Sequence, residues 1–309
     1  MLVSLLVPVY NEEESIEKFL DVIDSDLDGL DCDLEIIFID DGSVDKTMNV
    51  IKKSMSKDSR VRYVKLSRNF GKEAAMTAGL DYALGDAVVP IDVDLQDPPA
   101  LIHQFVHLWK QGYDTVYGMR ASRIDDGRRK RASAGLFYKI FNRLSNTAIP
   151  SNAGDYRLMS RRVVEVIKKM PERNRFMKGV FAWPGYSSVG VEYDRPARFA
   201  GKTKWNYWKL WNFALDGLTG FSTWPLRVWS YVGGVIALIS LLYMLYIILR
   251  TLIMGVDWPG YASLMSAVLF FGSVQLISIG VLGEYIGRLY VEVKGRPVYV
   301  VESSSDEGK

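Results

Sequence analysis

Three aspartates crowd the end of one β-rich run, where "VVPIDVDLQDPP" carries Asp92, Asp94 and Asp97. An Asp-x-Asp pair at a solvent-facing rim is unfavourable by mutual repulsion unless a cation lies between the carboxylates. Open, hydrated oxygen sites suit Mg2+ or Mn2+, which hold few protein carboxylates and complete their shell with water and substrate phosphates. Asp92 and Asp94 are therefore candidate metal ligands, with Gln96 as a neutral oxygen donor, and the charge such an ion would offset is that of a departing pyrophosphate. Asp97, followed by Pro98 and Pro99, is expected to cap a helix that starts at the prolines.

A second acidic stretch, "DDGSVDKT", places Asp40 and Asp41 where carboxylates accept hydrogen bonds from a ribose hydroxyl or a base imide, and Ser43 and Asp45 where they cap the following helix. "SRNFGKEAA" adds the cations Arg68 and Lys72 beside Gly71, as contacts on the nucleotide side.

These residues need a frame that gathers them. "LVSLLVPVY", "LEIIFID", "VRYVKLS" and "AVVPIDV" are β-rich runs, and helical patterns cover Glu13 to Leu27, Asp45 to Met55 and Gly71 to Leu84 between them. Near-continuous apolar strands alternating with amphipathic helices predict an α/β fold with a mostly parallel sheet covered on both faces. Ligands of such sheets bind beyond the carboxyl ends of the strands. That rule brings Tyr10-Asn11-Glu12, Asp40 to Ser43, Ser67-Arg68-Asn69 and Asp92-Val93-Asp94 to one rim.

Beyond about residue 200 the composition changes. Val228 to Leu249 and Tyr261 to Gly283 are uncharged apolar runs, and about 20 residues of helix suffice to cross a bilayer. Lys202, Lys204, Lys209 and Arg227 precede the first run, Arg288, Lys294 and Arg296 follow the second, and Arg250 and Asp257 are the charges between them. The positive-inside rule then puts both flanks in the cytoplasm and the link outside. The competing reading is a pair of buried helices in a soluble core. Two amphipathic stretches, Leu136 to Leu144 and the tryptophan-rich helix through Trp208, Trp211, Leu215 and Leu218, suit a membrane surface. The polar tail from Ser303 to Lys309 is expected to be disordered.

Several function classes are excluded. A net charge of +2 without a long basic tract argues against nucleic acid. The single Cys32 allows no internal disulfide and fits a reduced, cytosol-facing domain. "GKT" at Gly201 to Thr203 lacks the upstream glycine and strand of a phosphate loop, and no G-x-G-x-x-G follows the first strand. His103 and His107 lack the intervening glutamate of zinc proteases. The start of the chain has no basic signal-peptide pattern.

Taken in order, "VPVYNEEESI", "DDGSVDKT", "RNFGKEAAMTAGL", "DVDLQDPP", "GDYRLMSR" and "GEYIGRLYVEVKGRP" resemble the family 2, GT-A fold polyprenyl-phosphate glycosyltransferases, and within them the bactoprenol glucosyltransferases of phage and bacterial O-antigen and lipopolysaccharide modification. The resemblance spans nearly the whole chain. It implies a nucleotide site lined by Pro8, Tyr10, Asn11, Glu12, Asp40, Asp41, Lys72 and Asp92, and a metal held by Asp92, Asp94 and Gln96. It assigns the acceptor phosphate to Arg120, Arg131, Arg198 and Lys204, although Lys202 and Thr203 stand where the family usually has an acidic residue and a serine. Asp94, Asp155 and Arg120 become the catalytic candidates; Asp155 either contacts the sugar or acceptor, acting as a base, or pairs with a nearby arginine such as Arg157.

The implied activity is metal-dependent (Mg2+ or Mn2+), inverting transfer of glucose from UDP-glucose to undecaprenyl phosphate. The implied organisation is a GT-A domain over residues 1–200, juxtamembrane helices over 201–226, a two-helix transmembrane hairpin over 227–286 and a cytoplasmic segment over 287–309. Catalytic domain and both termini would face the cytoplasm from a bacterial inner membrane, with a flippase and a downstream glucosyltransferase as partners and a homo-oligomer, a tetramer in similar proteins, as the assembly. Alternatives are the same reaction with mannose, N-acetylglucosamine or an aminoarabinose derivative, and a non-catalytic partner of a lipid flippase. A processive synthase would need a Q-x-x-R-W element, which the chain lacks.

Overall fold

The structure, a computed structural model, describes residues 1–120, 150, 153–173, 175–194, 224–255 and 260–306. The amphipathic stretches at 136–144 and 208–218, together with Arg131, Arg198 and Lys204, lie outside the described residues. The chain divides into two units: Met1–Gly217 with Arg296–Lys309, and Leu218–Gly295.

The first unit is built on an eight-stranded sheet in the order β7-β5-β6-β4-β1-β2-β3-β8. The four β-rich runs expected from the sequence form β1 (Leu2–Val9), β2 (Asp33–Asp40), β3 (Val61–Leu66) and β4 (Ala87–Pro90). These pair in parallel, β2 and β4 flanking β1 and β3 following β2. Three helices cross between them, α1 (Ile16–Asp26), α2 (Thr47–Met55) and α3 (Lys72–Tyr82), and α4 (Leu101–Lys110) follows β4. The small residues of α3 let it lie tight on the sheet: Ala74 to Leu80 are all buried, and a Cβ on Gly79 would fall 2.4 Å from Leu6 Cγ. This is the α/β, GT-A-type arrangement that the resemblance implies.

Four further strands make the sheet mixed. β5 (Thr115–Arg120) and β7 (Ser188–Tyr193) pair in parallel, whereas β6 (Ala153–Ser160) runs antiparallel to both β4 and β5. Because β6 is reversed, its first residues meet the last residues of β4, β5 and β7 at one rim. Helices α5 (Arg161–Lys168) and α6 (Met177–Ala182) follow β6.

The tail is ordered, contrary to expectation, at least to Asp306. β8 (Val301–Ser304) pairs antiparallel with β3. Arg62 bridges Asp306 to Glu35, whose other oxygen takes a 2.5 Å bond from Ser4 Oγ. Lys65 reaches Glu302 at 2.7 Å, and Tyr299 donates to Asp81 at 2.7 Å. Sequence composition sees only a polar tail; a waiting sheet edge supplies the order.

The second unit contains α7 (Trp224–Met254) and α8 (Tyr261–Val293), longer than the apolar runs inside them. Among the described residues, Leu264–Val293 is long and apolar enough to cross a membrane, and none of its apolar window is buried. Leu276 is 71% and Leu252 of α7 is 78% exposed, which argues against the alternative of buried helices in a soluble core. The extension of α8 beyond Gly283 is polar enough to carry the Glu284–Arg288 ion pair at 2.7 Å.

Candidate active site

The loops at the carboxyl ends of β1 to β4 lock together through hydrogen bonds between residues distant in sequence. Asn11 stands in the left-handed region, φ 54°, a conformation asparagine tolerates. Its N–H donates to Ser43 Oγ at 2.9 Å, and its side-chain oxygen accepts from the Val44 N–H at 3.0 Å. The Glu12 N–H donates to Thr47 Oγ1 at 2.9 Å. Ser43 therefore holds the β1 loop instead of capping α2, which has no side-chain cap; Asp45 does accept the Thr47 N–H at 3.0 Å. Gly42, at φ +72°, is required by closeness as well, since a Cβ there would lie 2.4 Å from the Arg68 carbonyl carbon.

Asp40 and Asp41 divide their tasks. Asp41 is buried and accepts the N–H groups of Phe70 at 2.7 Å and Gly71 at 2.9 Å, so it clamps the β3–α3 loop. Desolvation raises its pKa, with those two bonds opposing. Asp40 is fully buried; Oδ1 accepts the Ser43 N–H at 2.9 Å, while Oδ2 has no protein partner. That orphaned acceptor suits the ligand role assigned to it. Tyr10 is 36% exposed on the same rim.

A cleft of about 120 Å³ opens beside this rim, and its walls include Pro8, Lys72, Asp92, Arg120, Asp155 and Lys178. Lys72 Nζ lies 2.7 Å from Asp92 and 3.4 Å from Asp155. Desolvation works against the ammonium, but these two carboxylates hold its pKa well above the ordinary value. Burial likewise raises Asp155, yet Lys72, then Lys178 and Arg157, bring it below the usual carboxylate range. Lys72 is thus a cation paired with Asp155, and the Arg157 guanidinium bonds the Gly154 carbonyl at 2.7 Å and stacks on Phe181. Arg68, the other expected cation, stacks over Phe70 at 4.0 Å.

The Asp-x-Asp loop carries strain. Leu95 sits at φ 55°, a region that costs a side chain of this size about 1–2 kcal/mol. Such outliers persist where the surroundings enforce them and mark functional loops. Asp94 Oδ1 accepts the Gln96 N–H at 3.2 Å. No cluster of three or more His, Cys, Asp or Glu able to hold a metal occurs among the described residues. Two carboxylates two positions apart fit a hard divalent ion that takes its remaining oxygens from water and phosphate. In the chain by itself, Lys72 provides the cation that Asp92 needs.

Asp97 does not cap a helix. The prolines form a turn, α4 starts at Leu101 without a side-chain cap, and Asp97 accepts the Tyr193 hydroxyl at 2.6 Å. Sequence reasoning also missed Glu73, Tyr156, Lys178 and Tyr193. Glu73 looks like an ordinary first-turn acid, but desolvation, then Asp155, push its pKa up to about 8, and its Oε2 is buried without a partner. Only neighbours brought by β6, β7 and α6 give these residues their roles.

Comparison with known proteins follows the same division of the chain. The family described as glycosyl transferase family 2 matches residues 4–168, and the GtrB C-terminal hairpin matches residues 224–289. The chain is 52% identical over 304 residues to the SfII prophage-derived bactoprenol glucosyl transferase of Shigella flexneri, covering 98% of each. It is 51% identical over 302 residues to the prophage bactoprenol glucosyl transferase homolog of Escherichia coli (strain K12), covering 98% of this chain and 99% of that one. A glycosyltransferase of Synechocystis sp. is 54% identical over 298 residues, 96% and 94% of the two chains. The long exposed apolar helix and the hairpin match together associate the C-terminal unit with membrane.

Proposed function

Because the chain belongs to glycosyltransferase family 2, we propose that it transfers glucose from UDP-glucose to undecaprenyl (bactoprenyl) phosphate at a membrane. Identity above 50% to bactoprenol glucosyl transferases over almost the full length supports a glucosyl group moved to bactoprenyl phosphate. The structural observation that supports the reaction is the composition of one cleft: Asp92 on the donor side, and Arg120 with a buried, unpartnered Nε on the other.

In this reading a lipid phosphate oxygen attacks C1 of glucose, the C1–O bond to UDP breaks, and UDP leaves with the bonding pair. In-line displacement inverts C1, so an α-linked donor gives a β-linked lipid phosphoglucose. A phosphate monoester is ionised at neutral pH and needs no strong base, so the residues mainly position groups and balance charge. Asp155, held ionised by Lys72, orients the sugar or the acceptor. Asp40 and the Tyr10 to Glu12 loop receive the nucleoside; Arg120, joined by Arg131, Arg198 and Lys204, receives the lipid phosphate. Asp92 and Asp94, with Gln96, would hold Mg2+ or Mn2+, which when bound offsets diphosphate charge as a Lewis acid. Lys72, now on Asp92, would turn towards Asp155 or the diphosphate.

The same proposal has the two helices crossing a bacterial inner membrane as a hairpin, with catalytic domain and termini cytoplasmic, in a homo-oligomer that supplies a flippase and a downstream glucosyltransferase. The test is incubation of membranes containing the chain with labelled UDP-sugars and undecaprenyl phosphate. Labelled lipid from UDP-glucose supports the proposal; label only from another UDP-sugar, or none, refutes it.

A further inference from the structure

Arg120 ends β5 directly beside Tyr193, its register partner on β7. The Tyr193 ring lies over Gly118, where a Cβ would fall 2.8 Å from Tyr193 Cε1, so glycine there is what admits the ring. The ring also meets Tyr156 edge-on at 6.0 Å, and the Tyr156 hydroxyl is anchored on the Pro98 carbonyl at 2.7 Å. So confined, the Tyr193 hydroxyl donates to Asp97 Oδ1 at 2.6 Å, and Arg120 stands near enough to oppose the rise in the Tyr193 pKa. Tyr193 and Asp97 are each 7% exposed. Arg120 lines the cleft, and its Nε is buried without a protein partner.

A carboxylate bonded straight to Arg120 would orient it well but would cancel the charge that an incoming phosphate must feel. A phenol between them avoids the conflict. Asp97 fixes the hydroxyl and leaves its lone pair as a neutral acceptor for the neighbouring Arg120 guanidinium, which keeps its charge and its remaining donors for an anion. Burial, then the neighbouring Asp97, raise the Tyr193 pKa, so the relay stays neutral. Asp97 also belongs to the loop that carries Asp92 and Asp94, which joins the acceptor-side arginine to the donor-side acids through side chains.

We infer that Tyr193, held by Asp97, is a positioning residue that aims Arg120 at the acceptor phosphate and thereby sets affinity for the lipid substrate and not for the nucleotide sugar. The inference rests on the glucosyl transfer proposed above.

The test uses the full-length protein in lipid nanodiscs, with UDP-glucose and undecaprenyl phosphate varied separately. Tyr193→Phe removes one oxygen and keeps the ring, and loss of a hydrogen bond to a charged group corresponds to about a tenfold weakening. The expected result is a KM for undecaprenyl phosphate raised about tenfold, with the KM for UDP-glucose within about twofold of wild type. Asp97→Asn, read the same way, should move the same constant. In an Arg120→Ala background Tyr193→Phe should add nothing further, because both changes remove one interaction. Equal changes in both KM values, an unchanged acceptor KM, or additivity with Arg120→Ala would overturn the inference. Wild-type protein that fails to glucosylate the lipid would instead refute the proposed function.

Discussion

Replacing Lys72 by methionine tests whether this lysine and a divalent cation compete for the same acid. The ammonium sits 2.7 Å from Asp92 and 3.4 Å from Asp155. At an effective dielectric constant near 20, unit charges about 4 Å apart interact by about 4 kcal/mol. The three side chains are 42%, 34% and 27% exposed, so solvent screening reduces this to about 1–2 kcal/mol. A cation entering at Asp92 in the wild type must displace or share that interaction; in Lys72→Met it need not. The variant should therefore bind Mn2+ about tenfold more tightly, since about 1.4 kcal/mol is a factor of ten, while its glucosyl transfer slows because Asp155 has lost its neutralising partner. Titration of the purified protein with Mn2+, followed by electron paramagnetic resonance of the free ion, measures this directly. Unchanged or weaker Mn2+ binding in Lys72→Met would refute the shared use of Asp92.

Three further perturbations probe the surroundings. Glu73 has a folded pKa of about 8 against 4.5 for the free side chain, so it contributes stability below 4.5 that is lost as pH rises through about 8; the melting temperature of Glu73→Gln should gain on wild type between pH 5 and 9, and a constant difference would contradict the assignment. Arg62→Ala leaves Glu35, 6% exposed in its side chain, without its cation and frees Asp306; chemical denaturation should show a loss of about 3 kcal/mol. Gly42→Ala combines φ +72° with a 2.4 Å approach to backbone, which must part the β2 and β3 loops, so the KM for UDP-glucose should rise several-fold.

The parallel half of the sheet was legible because β1 to β4 are apolar runs whose burial comes from helices next to them in sequence. The rim loops followed from topology: once those strands are parallel, Asn11, Asp40, Asp41 and Asp92 must meet. The other half was not legible. β7 is half-exposed, β6 carries Asp155 and Arg157 within its first turns of pleat, and β8 is polar; each is a strand because of a partner far away in the chain. The errors at Asp97 and Ser43 share that cause, since both residues have side chains suited to a local cap, yet Tyr193 and Asn11 offered tertiary partners. Lys72 was legible as a cation of the nucleotide site but not as the partner of Asp92 and Asp155, because those two acids come from the loop after β4 and from β6.

At the centre stands the claim that Asp92 and Asp94 hold a divalent cation against the departing diphosphate. The most direct measurement is transfer of labelled glucose from UDP-glucose to undecaprenyl phosphate by purified wild type and Asp94→Asn, with chelator and then with added Mn2+. Wild-type transfer should fall at least about a hundredfold in chelator and return with Mn2+, while Asp94→Asn stays inactive in both. Transfer that continues undiminished in chelator, or an active Asp94→Asn, would contradict it.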